Sequence, residues 1–446
     1  MRIPLITEPF EATAYSMTAT FTIALTRVFI IMNIVKRVRE YLRFLGPGII
    51  TGASDNDPAG ISTYSVVGAA TGYGLLWLSL FTLPMLIAVQ DMSAKIGLVT
   101  RRGLAEVIKE NYGITVLIIS VIAILISNTV TIGADLAGIA AAINLLIPGV
   151  KVAFLVPIAA IFIAALEVFV SYKTFERYLK WVLLILVAYI FAGIFAHPNW
   201  LLALYHTLVP TLQLDKAQLT AVVAVLGTTL SPYLLFWQAS QEVEELKERD
   251  EEAVAAKELR SRILEVDFGF FFANLIFFFI ILTTAATLNQ EGITNIQTAE
   301  QAAQALRPIA GDASYLLFSI GLVASGLLAI PVLAGSTAYV VAELFGWREG
   351  LREKVRQAPG YYFTLVTSIL AGISINFIKL NPIQAIYYSQ VLLGIITPIL
   401  LVVIMLISND RIIMGDHVNG LPTNILGALA IIAMAGAATL FFVLQF

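Results

Sequence analysis

The stretch Gly46 to Gly60, GPGIITGASDNDPAG, restricts this chain more than any other. It interrupts an apolar run with Asp55, Asn56, Asp57 and Pro58. Lipid offers no hydrogen bonds, so an interrupted backbone and a carboxylate at membrane depth persist only beside a protein-lined cavity. Asp57 and the break at Pro58 are therefore read as one organising feature, which needs a partner elsewhere in the chain.

Composition decides that the setting is a membrane. Of 446 residues, 59% are hydrophobic and only 13% are charged, against about 25% charged in ordinary soluble domains. Many apolar runs exceed the ~20 residues that cross a bilayer. The expected class is an all-α, polytopic membrane protein. Eleven spans are predicted, at 46–72 (broken near 55–60), 73–98, 114–147, 152–170, 176–196, 217–244 (interrupted near 228–232), 263–288, 313–345, 360–378, 383–407 and 423–444. Residues 1–45 read as a cytoplasmic N-terminal segment ahead of a single transporter domain, 46–446. Glu8 and Glu11 stand where a signal peptide would carry basic residues. The absence of Cys excludes disulfides and thiolate metal sites. With 3 His, dense imidazole sites are excluded too.

Charge placement predicts orientation. With the N-terminus cytoplasmic, the inner segments are 1–45, 95–113, 171–180, 246–262, 348–356 and 408–422. Of the 27 Lys and Arg, all but Lys151, Lys216, Arg307 and Lys379 fall in them. The positive-inside rule then puts the N-terminus in and the C-terminus out. The segment from Glu242 to Arg262 reads as a solvated helical extension, and 289–312 as an outer loop with a short helix.

The partner of the first break lies in the sixth span, AVLGTTLSPYLLFWQAS, where Gly227, Thr228, Thr229, Ser231 and Pro232 interrupt a second apolar run. Interrupted helices at corresponding positions of two halves are the sequence mark of a secondary-transporter site. The halves would be 46–196 and 217–407, in inverted topology, with helix eleven appended.

Unwound backbone frees carbonyl oxygens. Asp57 adds a charge; the Thr228 carbonyl and Ser231 add neutral oxygens. Gln390, polar within the apolar tenth span, either closes the cage or satisfies neighbouring backbone. Asp55 is a second carboxylate of the site or an outer charge on helix 1. Asp135, among small residues in the third span, faces a tight interface or a cavity, in a role of cation attraction or gating. Asn274 is placed to hydrogen-bond an unwound carbonyl. Glu167 is expected to pair with Lys173 or Arg177, and Asp91 with Lys95, one turn away. An all-oxygen ligand set suits a hard cation, Mg²⁺, Ca²⁺ or Mn²⁺, over copper or zinc.

At these residues the sequence resembles the Nramp family of divalent-metal transporters. The likeness runs from Gly46 to about Asn419 through GPGIITGASDNDPAG, DMSAKIGL, GLAE, ADLAG, GTTLSPY, SQVLLG and SNDRIIMG. The resemblance implies a LeuT-type fold, an inverted five-plus-five helix repeat with an eleventh helix. It also implies inward transport of a divalent metal through a site shared by helices 1 and 6.

The departures carry more information than the matches. The family's Asp-Pro-Gly-Asn is Asp57-Pro58-Ala59-Gly60 here, so its Asn ligand is absent. Its Met-Pro-His is Ser231-Pro232-Tyr233, which removes a thioether and an imidazole, and a second helix 6 His is Gln238. The acid one turn after Asp135 is Gly138. Losing the thioether removes selection against hard ions. Gly60 and Ser231 enlarge the cavity, and Mg²⁺ keeps several of its waters. The pattern resembles the Nramp-related magnesium transporters.

The expected activity is uptake of Mg²⁺, partly hydrated, by alternating access without proton coupling. His197, His206 and His417 are all assigned to loops, so a titratable relay through the bundle is missing. A proton-coupled Mn²⁺/Fe²⁺ symporter is the alternative; a carrier of amino acids is a third reading, disfavoured because Asp57 would repel a carboxylate. Neither an enzymatic motif nor a cofactor is expected. The partners are the metal ion and the bilayer, with no nucleic acid and no required oligomer.

Overall fold

The computed structural model describes residues 47–170, 185–213, 215–249, 256–377 and 381–445. The N-terminal segment 1–45 and the start of the fifth span lie outside the described residues, as do Lys173 and Arg177, the expected partners of Glu167.

The first span is two helices, α1 (Pro47–Ser54) and α2 (Pro58–Thr71). The sequence dictates the join. Pro58 has no N–H and fits the first turn of a new helix, while Asp57 in extended geometry (φ −68°, ψ 171°) caps it through a bond from Gly60 N. Gly72, at φ +57°, ends α2. Then come α3 (Trp77–Thr100), α4 (Leu104–Leu146) and α5 (Val152–Phe169). Within α4, Gly113 sits at φ +83° and separates a short entry helix from the expected span beginning at 114. Helix α6 (Ile185–Phe195) is followed by α7 (Trp200–Leu208), bent by 115° from it. His206 therefore lies in a short helix rather than a loop; His197 is in the bend, and His417 in a 3₁₀ turn.

The sixth span is again two helices, α8 (Lys216–Thr229) and α9 (Pro232–Arg249). Asp215 caps α8 by accepting from Gln218 N at 2.8 Å. The remaining elements are α10 (Ala256–Thr284, continued by a π turn to Asn289), α12 (Ser314–Phe345), α13 (Pro359–Ile375), α14 (Pro382–Asn409) and α15 (Leu421–Gln445). The short helix α11 (Ala299–Ala303) precedes α12 and opens on a capping box of Thr298 and Gln301. Among the described residues, 8 helical segments are long and apolar enough to cross a membrane. The other expected spans are the broken α1–α2, the partly described α6, and the shorter apolar α13.

The two broken spans pack against each other, α1 on α9 and α2 on α8. The first half of one meets the second half of the other, as antiparallel spans require. Helix α14 lies against α8 at Gly227, where an added Cβ would collide with the Gln390 carbonyl and the Gly394 backbone. Missing side chains thus set the distance between these helices.

A second expectation is corrected. The start of 242–262 is not solvated: Glu242 and Glu244 are buried. Arg262 reaches Glu242 at 3.1 Å and Glu245 at 3.3 Å, while Glu244 accepts from Tyr339 OH and, at 2.9 Å, from Leu351 N. Charge density alone suggested exposure; the folded chain supplies partners that make burial tolerable.

Gly227→Val is expected to destabilise the protein by about 1–3 kcal/mol through overpacking, read as a lower midpoint in thermal unfolding. Gly436→Ala in α15, where a Cβ meets open space, is expected to be neutral or slightly stabilising.

Candidate functional site

The site is built on the N-terminus of α2, whose free N–H groups can be accounted for one by one. Pro58 has none. Ala59 N donates to Asp135 Oδ1 of α4 at 3.0 Å. Gly60 N donates to Asp57 Oδ1. Ile61 N donates to the Asp57 carbonyl at 2.9 Å. Asp57 and Asp135 are 2% and 0% exposed; both draw on charge-assisted hydrogen bonds and on the positive end of the helix dipole.

At the end of α1, the last three carbonyls also have partners. The carbonyls of Gly52 and Ala53 accept from Asp55 N at 3.2 Å and Asn56 N at 3.3 Å. The Ser54 carbonyl accepts from Tyr233 OH at 3.1 Å. The Asp55 carbonyl points toward Gly60: a Cβ built there would lie 3.0 Å from Asp55 O, and 3.2 Å from both Asp57 Oδ1 and Thr228 Oγ1. Three oxygens from the two breaks thus converge beside the absent side chain.

Across the gap, Ser231 Oγ donates to the Thr228 carbonyl at 2.6 Å and lies 3.2 Å from the Gly227 carbonyl. The two expected neutral ligands are thus bonded to each other, leaving lone pairs on Ser231 Oγ. It is the hydroxyl of Thr228, rather than its carbonyl, that faces Gly60. Gln390 donates to Ser389 Oγ at 3.1 Å, while its Oε1 is buried with no partner among the described residues. The same is true of Asp55 Oδ1, Asn56 Oδ1 and Asp135 Oδ2. Buried oxygens without partners need an explanation, and an ion or water is the usual one.

Asn274 behaves differently from expectation. It donates to the Ser79 carbonyl in the first turn of α3 at 2.9 Å, and bonds a carbonyl of neither break. Asn56, which the sequence reading left without a role, makes the tie to α10 instead, from Nδ2 to the Ala273 carbonyl at 3.2 Å. Its place inside the polar break was the available signal. Tyr64 was also overlooked; its hydroxyl lies 3.2 Å from Thr229 Oγ1. It resembles any core tyrosine in sequence.

Two of the positions that depart from the family pattern serve other contacts. A Cβ on Gly138 would sit 3.1 Å from Pro58 Cβ and 3.3 Å from Ile386 Cδ1. Gln238 donates to Glu242 Oε1 at 2.8 Å and so joins the ion pair with Arg262. Among the described residues, no three acidic, His or Cys groups converge to hold a metal. Any ion here takes hydroxyl, carbonyl and amide oxygens as well. An open cavity of about 690 Å³ lies apart from the breaks, lined by Asn144, Pro148, Glu300, Arg307, Asp312 and Tyr315.

Two broken helices crossing at their breaks define a LeuT-type membrane transporter. Residues 48–444 match the family described as natural resistance-associated macrophage protein-like, Nramp, and the chain belongs to that family. It is 27% identical over 402 residues to the divalent metal cation transporter MntH of Caldanaerobacter subterraneus subsp. tengcongensis, covering 88% of this chain and 90% of that protein. The MntH of Yersinia pestis is 28% identical over 401 residues, covering 89% and 93%. In structure the chain is similar to the Eremococcus coleocola manganese transporter (TM-score 0.69, 19% identity, 89% of this chain and 85% of that one). It is also similar to Mhp1, a nucleobase-cation-symport-1 family transporter (TM-score 0.51, 11% identity, 89% and 91%). These likenesses establish the LeuT-type fold.

Asp57→Asn and Asp57→Ala are expected to separate cap from charge. Asn caps as well as Asp, whereas Ala costs about 1 kcal/mol. Thermal unfolding should therefore shift for Ala alone, while calorimetric titration with Mg²⁺ or Mn²⁺ should show binding lost in both. Metal binding retained by Asp57→Asn would remove Asp57 from the ligand set.

Proposed function

We propose that this protein, a divalent-metal transporter by family, carries Mg²⁺, bound with part of its water shell, by alternating access and without proton coupling. The reading rests on three oxygens that converge beside Gly60: the Asp55 carbonyl, Asp57 Oδ1 and Thr228 Oγ1 lie 3.0–3.2 Å from where its Cβ would stand, too close for a side chain without movement. The three nearest atoms are all oxygens, and Ser231 stands where the family's thioether would discriminate against hard ions. The ligands would be Asp57, Thr228, Ser231 and Gln390, with Asp55 contributing its carbonyl and a second charge. Asp135 would hold the start of α2 and add to the negative field.

The absence of coupling is argued from the same region. None of the three His lies in either broken span: His197 is in the bend after α6, His206 in α7 and His417 in a 3₁₀ turn, and Gly138, packed on Pro58, leaves no titratable group one turn beyond Asp135. Membrane potential suffices as a driving force, since a divalent ion gains about 4.6 kcal/mol per 100 mV, inside negative. The charge distribution supports a cell-membrane setting with the α1 N-terminus and the α9 C-terminus facing the cytoplasm and the C-terminal end of α15 outside.

The test is ion flux into proteoliposomes under an imposed potential, with internal pH recorded. Mg²⁺ is expected to enter and to compete with Mn²⁺, with no acidification tracking uptake. Mg²⁺ failing on both counts overturns the magnesium reading; acidification proportional to metal entry overturns the uncoupled one. The double variant Gly60→Asn with Ser231→Met restores the family's amide and thioether among these oxygens. It is expected to weaken competition by Mg²⁺ against Mn²⁺ by about tenfold or more, as loss of ~1.4 kcal/mol would.

A further inference from the structure

Each pair of half-helices is joined by one tyrosine hydroxyl. Tyr233, in the first turn of α9, donates to the carbonyl of Ser54, the last residue of α1. Tyr64 of α2 bonds Thr229 Oγ1, at the last residue of α8, and also reaches the neighbouring Thr228 side chain. Both rings are buried, and Tyr64 stacks on Phe277 of α10 with centroids 4.3 Å apart. The two bonds thus lie on opposite sides of the breaks, and neither hydroxyl is among the three atoms nearest a Cβ built on Gly60.

We propose that Tyr233 and Tyr64 are side-specific latches. Tyr233 holds α1 to α9 and closes the side on which these helices end; Tyr64 holds α2 to α8 and closes the other. The proposal rests on alternating access: one side opens while the other remains shut, so each latch breaks in only one half of the cycle. The tyrosines are positioning residues. They set how readily each side opens; Tyr64 also touches Thr228 of the proposed ligand set, whereas Tyr233 bonds the Ser54 carbonyl, which is outside it.

Phe at either position keeps the ring and its packing and deletes only the bond. The chain has no Cys, so single cysteines report each side without background. Thr51→Cys on α1, one turn before Ser54, and Ala224→Cys on α8, one turn before Thr228, are both buried. Their modification by a small hydrophilic thiol reagent is measured on the purified, metal-free protein. Tyr233→Phe is expected to speed labelling at Thr51→Cys roughly five- to tenfold, the value of one buried hydrogen bond, with Ala224→Cys unchanged. Tyr64→Phe is expected to do the reverse. In Tyr233→Phe, Mg²⁺ affinity by calorimetry should stay within about twofold while turnover changes, a split that general loosening would not give. Equal acceleration at both cysteines, or none at either, overturns the proposal. Labelling needs neither metal nor flux, so a protein that did not carry Mg²⁺ would still report on the latches.

Discussion

The N-terminus of α2 is what the rest of the site depends on. A helix that begins in the middle of a membrane exposes N–H groups that lipid cannot satisfy. Here Pro58 removes one, Asp135 and Asp57 take two, and the Asp57 carbonyl takes the next. The same arrangement makes two buried carboxylates tolerable, because each faces oriented donors and the positive helix end. The break and the negative charge therefore stabilise one another. A cation is the natural third party, since one oxygen of Asp135 and one of Asp55 are still unpartnered.

Small residues bring the parts together. Pro58 sits between Gly138 of α4 and Gly326 of α12, whose Cβ positions lie 3.1 Å from its ring. Gly227 and Gly394 allow α8 and α14 to meet backbone to backbone. Close approach of this kind suits helices in lipid, where packing and hydrogen bonds replace the hydrophobic drive. Gly138 gains a meaning that its sequence position alone did not carry: the loss of an acid is also the seat for the break.

Both interruptions, the charge at Asp57 and the all-oxygen character of the candidate ligands were legible in the chain. Proline and clustered polar residues inside apolar runs have few physical interpretations. Side-chain direction was less legible. Thr228 was expected to act through its carbonyl, yet its hydroxyl faces Gly60, because Ser231 occupies that carbonyl. Asn274 and Asn56 are both polar residues in apolar surroundings, but only helix packing decides that Asn56 ties the break to α10. Glu242 and Glu244 looked solvated until Arg262, Tyr339 and Leu351 came beside them.

By itself the sequence determined a helical membrane protein with two broken spans and a carboxylate between them. Hydropathy, proline and charge are local properties, and lipid penalises exceptions to them heavily. The tertiary structure alone decided which atoms meet. It paired Asp135 with Ala59 N across 76 positions of chain and Tyr233 with the Ser54 carbonyl across 179. Such contacts depend on how helices cross and rotate, and crossing is set by the summed packing of many small residues. No single motif encodes it.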